Sequence, residues 1–156
     1  MFENVHQATR AVISKVFETM FYLWAEPCDG GQEQSQASEP PPSFLRGEIG
    51  FEGKFSGALR LSLSTGLARK MAINFMGLEK DEVSESQMMD VVSETCNTTC
   101  GNLLSHLDKK SAYALTPPRT QPISAEQLHE ESQPGSVLLH FDVEGERLRV
   151  EIQLES

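Results

Sequence analysis

The chain has 156 residues, an ordinary share of apolar and aromatic side chains and a formal net charge of −10, which suits one domain spanning residues 1–156 with a sizeable core. No basic patch exists to neutralise phosphates, so nucleic acid is excluded as a partner, and the acidity reads most simply as a solubility device. No apolar run approaches the roughly 18 residues of a membrane span, Met1–Arg10 lacks the basic start and apolar run of a signal peptide, and three cysteines make no disulfide framework, so a cytoplasmic setting without membrane contact is expected.

Val5–Trp24 reads as a long helix with two adjoining apolar stripes, Val5, Val12, Val16 and Met20 beside Ile13, Phe17, Phe21 and Trp24; such a wide face implies burial on more than one side, and Pro27 limits it. Residues 28–43, rich in Gly, Gln, Ser and Pro, hold almost nothing that can pack and are expected to form a mobile loop. A proline-rich recognition motif is the functional alternative there. Leu45, Ile49 and Phe51, then Phe55, Leu59, Leu61 and Leu63, alternate with polar residues about Gly53, a hairpin with one buried face. Ser64 or Thr65 starts a short helix that runs through Met76 and ends at Gly77.

A second long helix spans Ser84–Leu107. Ser84 and Gln87 form a capping box, and Val83 with Met88 stands at staple spacing. After it, Ser111–Thr116 reads as a short strand stopped by Pro117-Pro118, and Arg119–Pro134 as an irregular polar connection. Val137, Leu139, Phe141 and Val143, a Glu144-Gly145-Glu146 turn, then Leu148, Val150, Ile152 and Leu154 form the closing hairpin. Hairpins in place of single-strand crossovers predict an α+β fold, an antiparallel sheet with helices packed on one face. Ser14-x3-Glu18-x2-Phe21 in the first helix faintly repeats the frame of Asp90-x3-Glu94-x2-Asn97 in the second, and a hairpin follows later in each half.

Familiar hydrolytic machinery is absent: no glycine-rich phosphate loop, no Gly-x-Ser-x-Gly elbow, and His6, His106, His129 and His140 have no ligand spacing. Cys96 and Cys100, one turn apart, are either a metal pair or, as their place in the apolar stripe favours, small core residues. The chemistry-bearing feature is the flank of the second long helix. At about 100° per residue, Asp90, Glu94, Asn97 and Gly101 fall within roughly 60° of one another, beside an apolar stripe of Met89, Val92, Cys96, Cys100, Leu103 and Leu107. Phosphoryl transfer is mostly positioning and charge stabilisation, and water can be oriented by a single amide. An Asn both donates and accepts, a Glu one turn away can pair with a partner cation, and a glycine one turn on leaves room for another protein. Read more plainly, the same residues are the wetted side of an amphipathic helix. Asn97 and Gly101, poor helix formers both, weigh against that plainer reading.

Asp90-Val-Val-Ser-Glu94-Thr-Cys-Asn97-Thr-Thr-Cys-Gly101-Asn102 resembles the signature helix of the CheC/CheX/FliY phosphatases, which hydrolyse the aspartyl-phosphate of CheY-type receivers. Phe17-Glu-Thr-Met-Phe21 is similar to the first helix of CheX, and Phe55-Ser-Gly-Ala-Leu59 with the following helix to the family's central region. The resemblance implies that Asn97 orients the attacking water and that Glu94 pairs with the receiver's active-site lysine. It gives Asp90 a supporting place and, with Gly101, completes the motif. It implies no cofactor in this chain, Mg2+ being held by the receiver, and a homodimer. CheC-type members carry two active helices; here Phe21 stands where the first amide belongs, so one centre is expected, as in CheX. A downstream family proline corresponds to Pro117, Pro118 or Pro122. The alternatives are a receiver-docking module without catalysis, like the flagellar-switch relatives, and a purely structural domain.

Overall fold

Apolar residues two apart and three to four apart sort this chain into strands and helices that share one oily interface. The structure, a computed structural model, describes residues 2–29, 43–128 and 134–155. Helix α1 (Phe2–Phe21) leads into a short strand, β1 (Ala25–Cys28). The hairpin β2 (Phe44–Glu52) and β3 (Ser56–Ser64) follows, then α2 (Thr65–Met76), a single 3-10 turn at Lys80–Glu82, and α3 (Glu85–Leu107). Next come β4 (Ala114–Leu115), β5 (Arg119–Ile123), a one-turn helix α4 (Ala125–Leu128), and the closing hairpin β6 (Ser136–Val143) and β7 (Glu146–Glu155).

The sheet is antiparallel throughout, in the order β1-β6-β7-β3-β2, with β4 and β5 both against the far side of β2. The order makes sense of the internal echo. Each half of the chain contributes a long helix, an edge strand and a hairpin, and each edge strand pairs with the other half's hairpin: Ala25 opposite Val143, and Gly47 opposite Thr120. Leu45, Ile49 and Phe51, Leu59, Leu61 and Leu63, Val137, Leu139, Phe141 and Val143, and Leu148, Val150 and Ile152 form one buried sheet face. On it pack α1, α2 and α3, which also contact one another.

The opposite face is polar and internally paired. Arg60 Nε meets Glu48 at 2.8 Å, and Arg46 Nε donates to Ser62 Oγ at 2.8 Å. The guanidinium groups of Arg46 and Arg149 donate to the carbonyls of Gln127 and Leu128, so two arginines cap the short α4 against this face.

Three local expectations change. The first helix ends at Phe21, because Tyr22 turns left-handed (φ 57°), so Trp24 lies outside it and is 58% exposed. Cys28, placed by sequence in a loop, belongs with Pro27 to β1, an edge position where proline's missing N–H is tolerated; most of the expected loop, residues 30–42, lies outside the described residues. Arg119–Ile123, read as irregular, pairs with β2. The caps are as the sequence predicts: Ser64 Oγ accepts from Leu67 N, and Gly77 closes α2 at φ 69°.

Candidate functional site

The site is a ridge on α3, and the surroundings of that helix decide what it exposes. Its start is held by the predicted capping box: Gln87 N donates to Ser84 Oγ at 3.1 Å, and Ser84 N to Gln87 Oε1 at 2.9 Å. Beneath, it presses on β2 so closely that a Cβ at Gly47 would stand 2.6 Å from Cys96 Sγ and 2.9 Å from Val92 Cγ1. On one flank the hydroxyls of Ser93 and Thr120 share a hydrogen bond of 2.7 Å with β5. On the other flank lies α1. The buried face, Met88, Val91, Val92, Thr95, Cys96, Thr99, Cys100, Leu103 and Leu104, is wider than the predicted stripe because α1 and α2 both pack against it.

What remains exposed is the predicted stripe. Asp90, Glu94 and Asn97 are all exposed, and a Cβ at Gly101 would meet no atom within 4 Å. The Asn97 carboxamide makes no hydrogen bond to any described residue. Glu94 Oε2 accepts only a long bond, 3.5 Å, from Thr98 Oγ1. Asn102, by contrast, folds back to donate to its own helix at Thr98 O (2.8 Å). The structure thus brings a carboxylate, a second carboxylate, a free amide and an open backbone position onto one line, all available to a visitor.

Cys96 and Cys100 are core. Both sit in the apolar core, and burial pushes both thiols up to about 12, the neighbouring Cys100 adding to the effect on Cys96. The echo in α1 is sealed. Phe21 is fully buried, edge-on to Phe17 and Phe75 at 5.4 and 5.9 Å, while Ser14 and Glu18 face solvent. One feature was not foreseen from sequence: a groove of about 400 Å³ between α1 and α3, lined by Lys15 and Thr19 on one side and Thr98, Asn102 and His106 on the other. Its signal was the polar and small i, i+4 series Ala11, Lys15, Thr19 beside the apolar stripe.

The fold is an α+β domain whose carboxylates and amide stand on the exposed side of a long helix. The family model described as chemotaxis phosphatase CheX matches residues 45–142. The chain belongs to this family of chemotaxis phosphatases. No curated protein matches it by sequence. Among solved structures it is similar to the chemotaxis protein CheX from Vibrio vulnificus (TM-score 0.76, 18% identity, covering 97% of this chain and 96% of that one). It is also similar to CheX in the CheX–CheY–BeF3–Mg2+ complex from Borrelia burgdorferi (0.70, 16%, 96% and 97%) and to FliY from Thermotoga maritima (0.62, 13%, 94% and 84%). At these identities the structures speak for the fold.

Proposed function

We propose that this chemotaxis phosphatase hydrolyses the aspartyl-phosphate of a CheY-type receiver by seating the α3 ridge over the phosphorylated site. Asn97 holds a water in line with the phosphorus. The water oxygen forms the new P–O bond, the bond to the aspartyl oxygen breaks, and inorganic phosphate and a free carboxylate result, the water's proton passing to solvent or phosphate. Glu94 pairs with a lysine of the receiver, Asp90 supports the ridge from one turn before, and Gly101 leaves the gap into which the partner's backbone fits. Mg2+ belongs to the receiver, so this chain is asked for no ligand of its own. In support stands a CheX relative of the same fold solved together with CheY.

The observation that carries the reading is the Asn97 amide, exposed, unpartnered among the described residues, and flanked by open space at Gly101. An amide placed for water is worth about 10²–10³ in rate when removed. Asn97→Ala is therefore expected to abolish stimulated loss of receiver phosphate with binding largely kept, and Glu94→Ala to weaken both. Full activity in Asn97→Ala would sink the mechanism; binding without acceleration by the unaltered protein would make it a docking module.

The same reading places the chain in the cytoplasm as a homodimer. The outer strands β1 and β5 have one edge unpaired among the described residues, which such pairing could use. A monomer by light scattering at high micromolar concentration removes the dimer.

A further inference from the structure

The groove beside the ridge and the end of α1 point to a division of labour between the two long helices. Asn4 and Val5 line a cleft with Leu107, whereas Lys15 and Thr19 share the larger groove with Thr98 and Asn102, so α1 and α3 lie alongside each other in opposite directions. Thr98 and Asn102 follow Asn97 and Gly101 directly in sequence, so this groove opens against the ridge. Packed helix axes stand 8–10 Å apart, and a standard interface covers roughly 800 Å² per partner, a disc of about 16 Å radius. A protein centred on Asn97 with that footprint reaches the exposed side of α1 too.

Two residues on that outer side, seven positions apart and so near one face by helical count, put long side chains into solvent. Lys15 is exposed and makes no ion pair with a described residue, although the chain carries a net charge of −10. Tyr22, just past the last turn of α1, is 69% exposed and held at φ 57°, a left-handed conformation that a bulky side chain rarely adopts. The turn is firmly fixed: Tyr22 N donates to Glu18 O and Leu23 N to Phe17 O, both at 3.1 Å, and Asn74 Nδ2 donates to Phe21 O at 2.6 Å. The two backbone bonds close α1 with a left-handed residue, so the backbone of Tyr22 serves the cap, while its ring is left in water as the kind of large aromatic surface enriched at interfaces. The occupant's charge suits the groove, because a phosphorylated receiver adds negative charge and Lys15 lines the groove beside the ridge.

Resting on the reading of Asn97 and Glu94 above, we propose that α1 is the recognition half of the site: Lys15 and Tyr22 grip the phosphorylated receiver while α3 performs the chemistry. The test compares Lys15→Glu and Tyr22→Gly with the unaltered chain, glycine being the residue that φ 57° suits, so that this variant folds without strain. Affinity is measured by calorimetry against a CheY-type receiver carrying beryllofluoride and Mg2+, alongside KM, kcat and light scattering. Each variant is expected to lose affinity and raise KM roughly tenfold or more, with kcat at saturation within about twofold of the original. Lys15→Glu also flattens the salt dependence of association. Unchanged affinity and KM in both variants, or a loss that follows dissociation of a dimer through Tyr22, overturns the proposal. The two readings fail separately. If Asn97→Ala loses activity while Lys15→Glu and Tyr22→Gly match the unaltered chain, recognition by α1 falls alone. If the unaltered chain binds the receiver through Lys15 yet never speeds phosphate loss, the catalytic reading falls and the recognition surface stands.

Discussion

Replacing Gly101 by alanine separates what the fold wants from what the partner needs. Gly101 lies in regular helix inside α3 (Glu85–Leu107), and alanine is better than glycine in a helix interior by about 1 kcal/mol. Nothing opposes the extra methyl, since a Cβ there meets no atom within 4 Å. The variant is therefore expected to gain about 1 kcal/mol, raising Tm by about 2–4 °C for a domain of this size. On the ridge the same methyl stands about 1.5 Å proud of the backbone, one turn from Asn97. A displacement of about 1 Å at a reacting centre is worth on the order of 10²-fold, so kcat/KM for a phosphorylated receiver is expected to fall by about 10–100-fold while the protein itself becomes harder to melt. Calorimetric melting and the rate of receiver phosphate loss measure the two effects. A lower Tm refutes the packing argument, and a stabilised protein with undiminished kcat/KM refutes close approach at Gly101.

Gly47→Ala is the opposite case: its Cβ would strike Cys96 Sγ and Val92 Cγ1, and a loss of about 1–3 kcal/mol in urea unfolding is expected, partly recovered when Cys96→Ala is added. Phe21→Asn, which completes the motif on α1, puts an amide into a sealed aromatic cluster; it is expected to lower stability by about 3–5 kcal/mol and, in an assay per folded molecule, to add no second centre. The Cys96 and Cys100 thiols, raised by burial from 9.0 to about 12, keep their protons in the folded state after the unfolded chain has lost them. Their contribution is fully present below pH 9 and drains away as pH rises toward 12, by up to about 1.4 kcal/mol per pH unit for each thiol. Denaturation at pH 8 and pH 10 measures the slope, which Cys96→Ala should roughly halve; a flat profile over that window contradicts the burial argument.

The elements that the sequence reveals are those whose causes are local. Ser84 and Gln87 start α3 and Gly77 ends α2 by bonds within a few residues, and the alternation in Leu59–Leu63 and Val137–Val143 needs only one wet and one dry sheet face. The two strands it hides, β1 and β5, are short, polar and proline-bearing. They are strands because β6 and β2 offer them partners far away in sequence. The end of α1 is hidden for a related reason: the apolar period runs on to Trp24, but Phe21 is claimed by Phe17 and Phe75 and the chain turns away at Tyr22.

For the site, helical period alone placed Asp90, Glu94, Asn97 and Gly101 on one line, because residues three and four apart on a helix must share a face. Whether that line would meet water or core was not contained in the period. It was decided by α1 closing one flank, β5 the other and Gly47 letting the helix sink onto the sheet, which together leave this stripe outermost. The groove with Lys15, and the burial that silences Phe21, exist only once two helices distant in sequence lie side by side, and pairing of that kind is a property of the packed molecule.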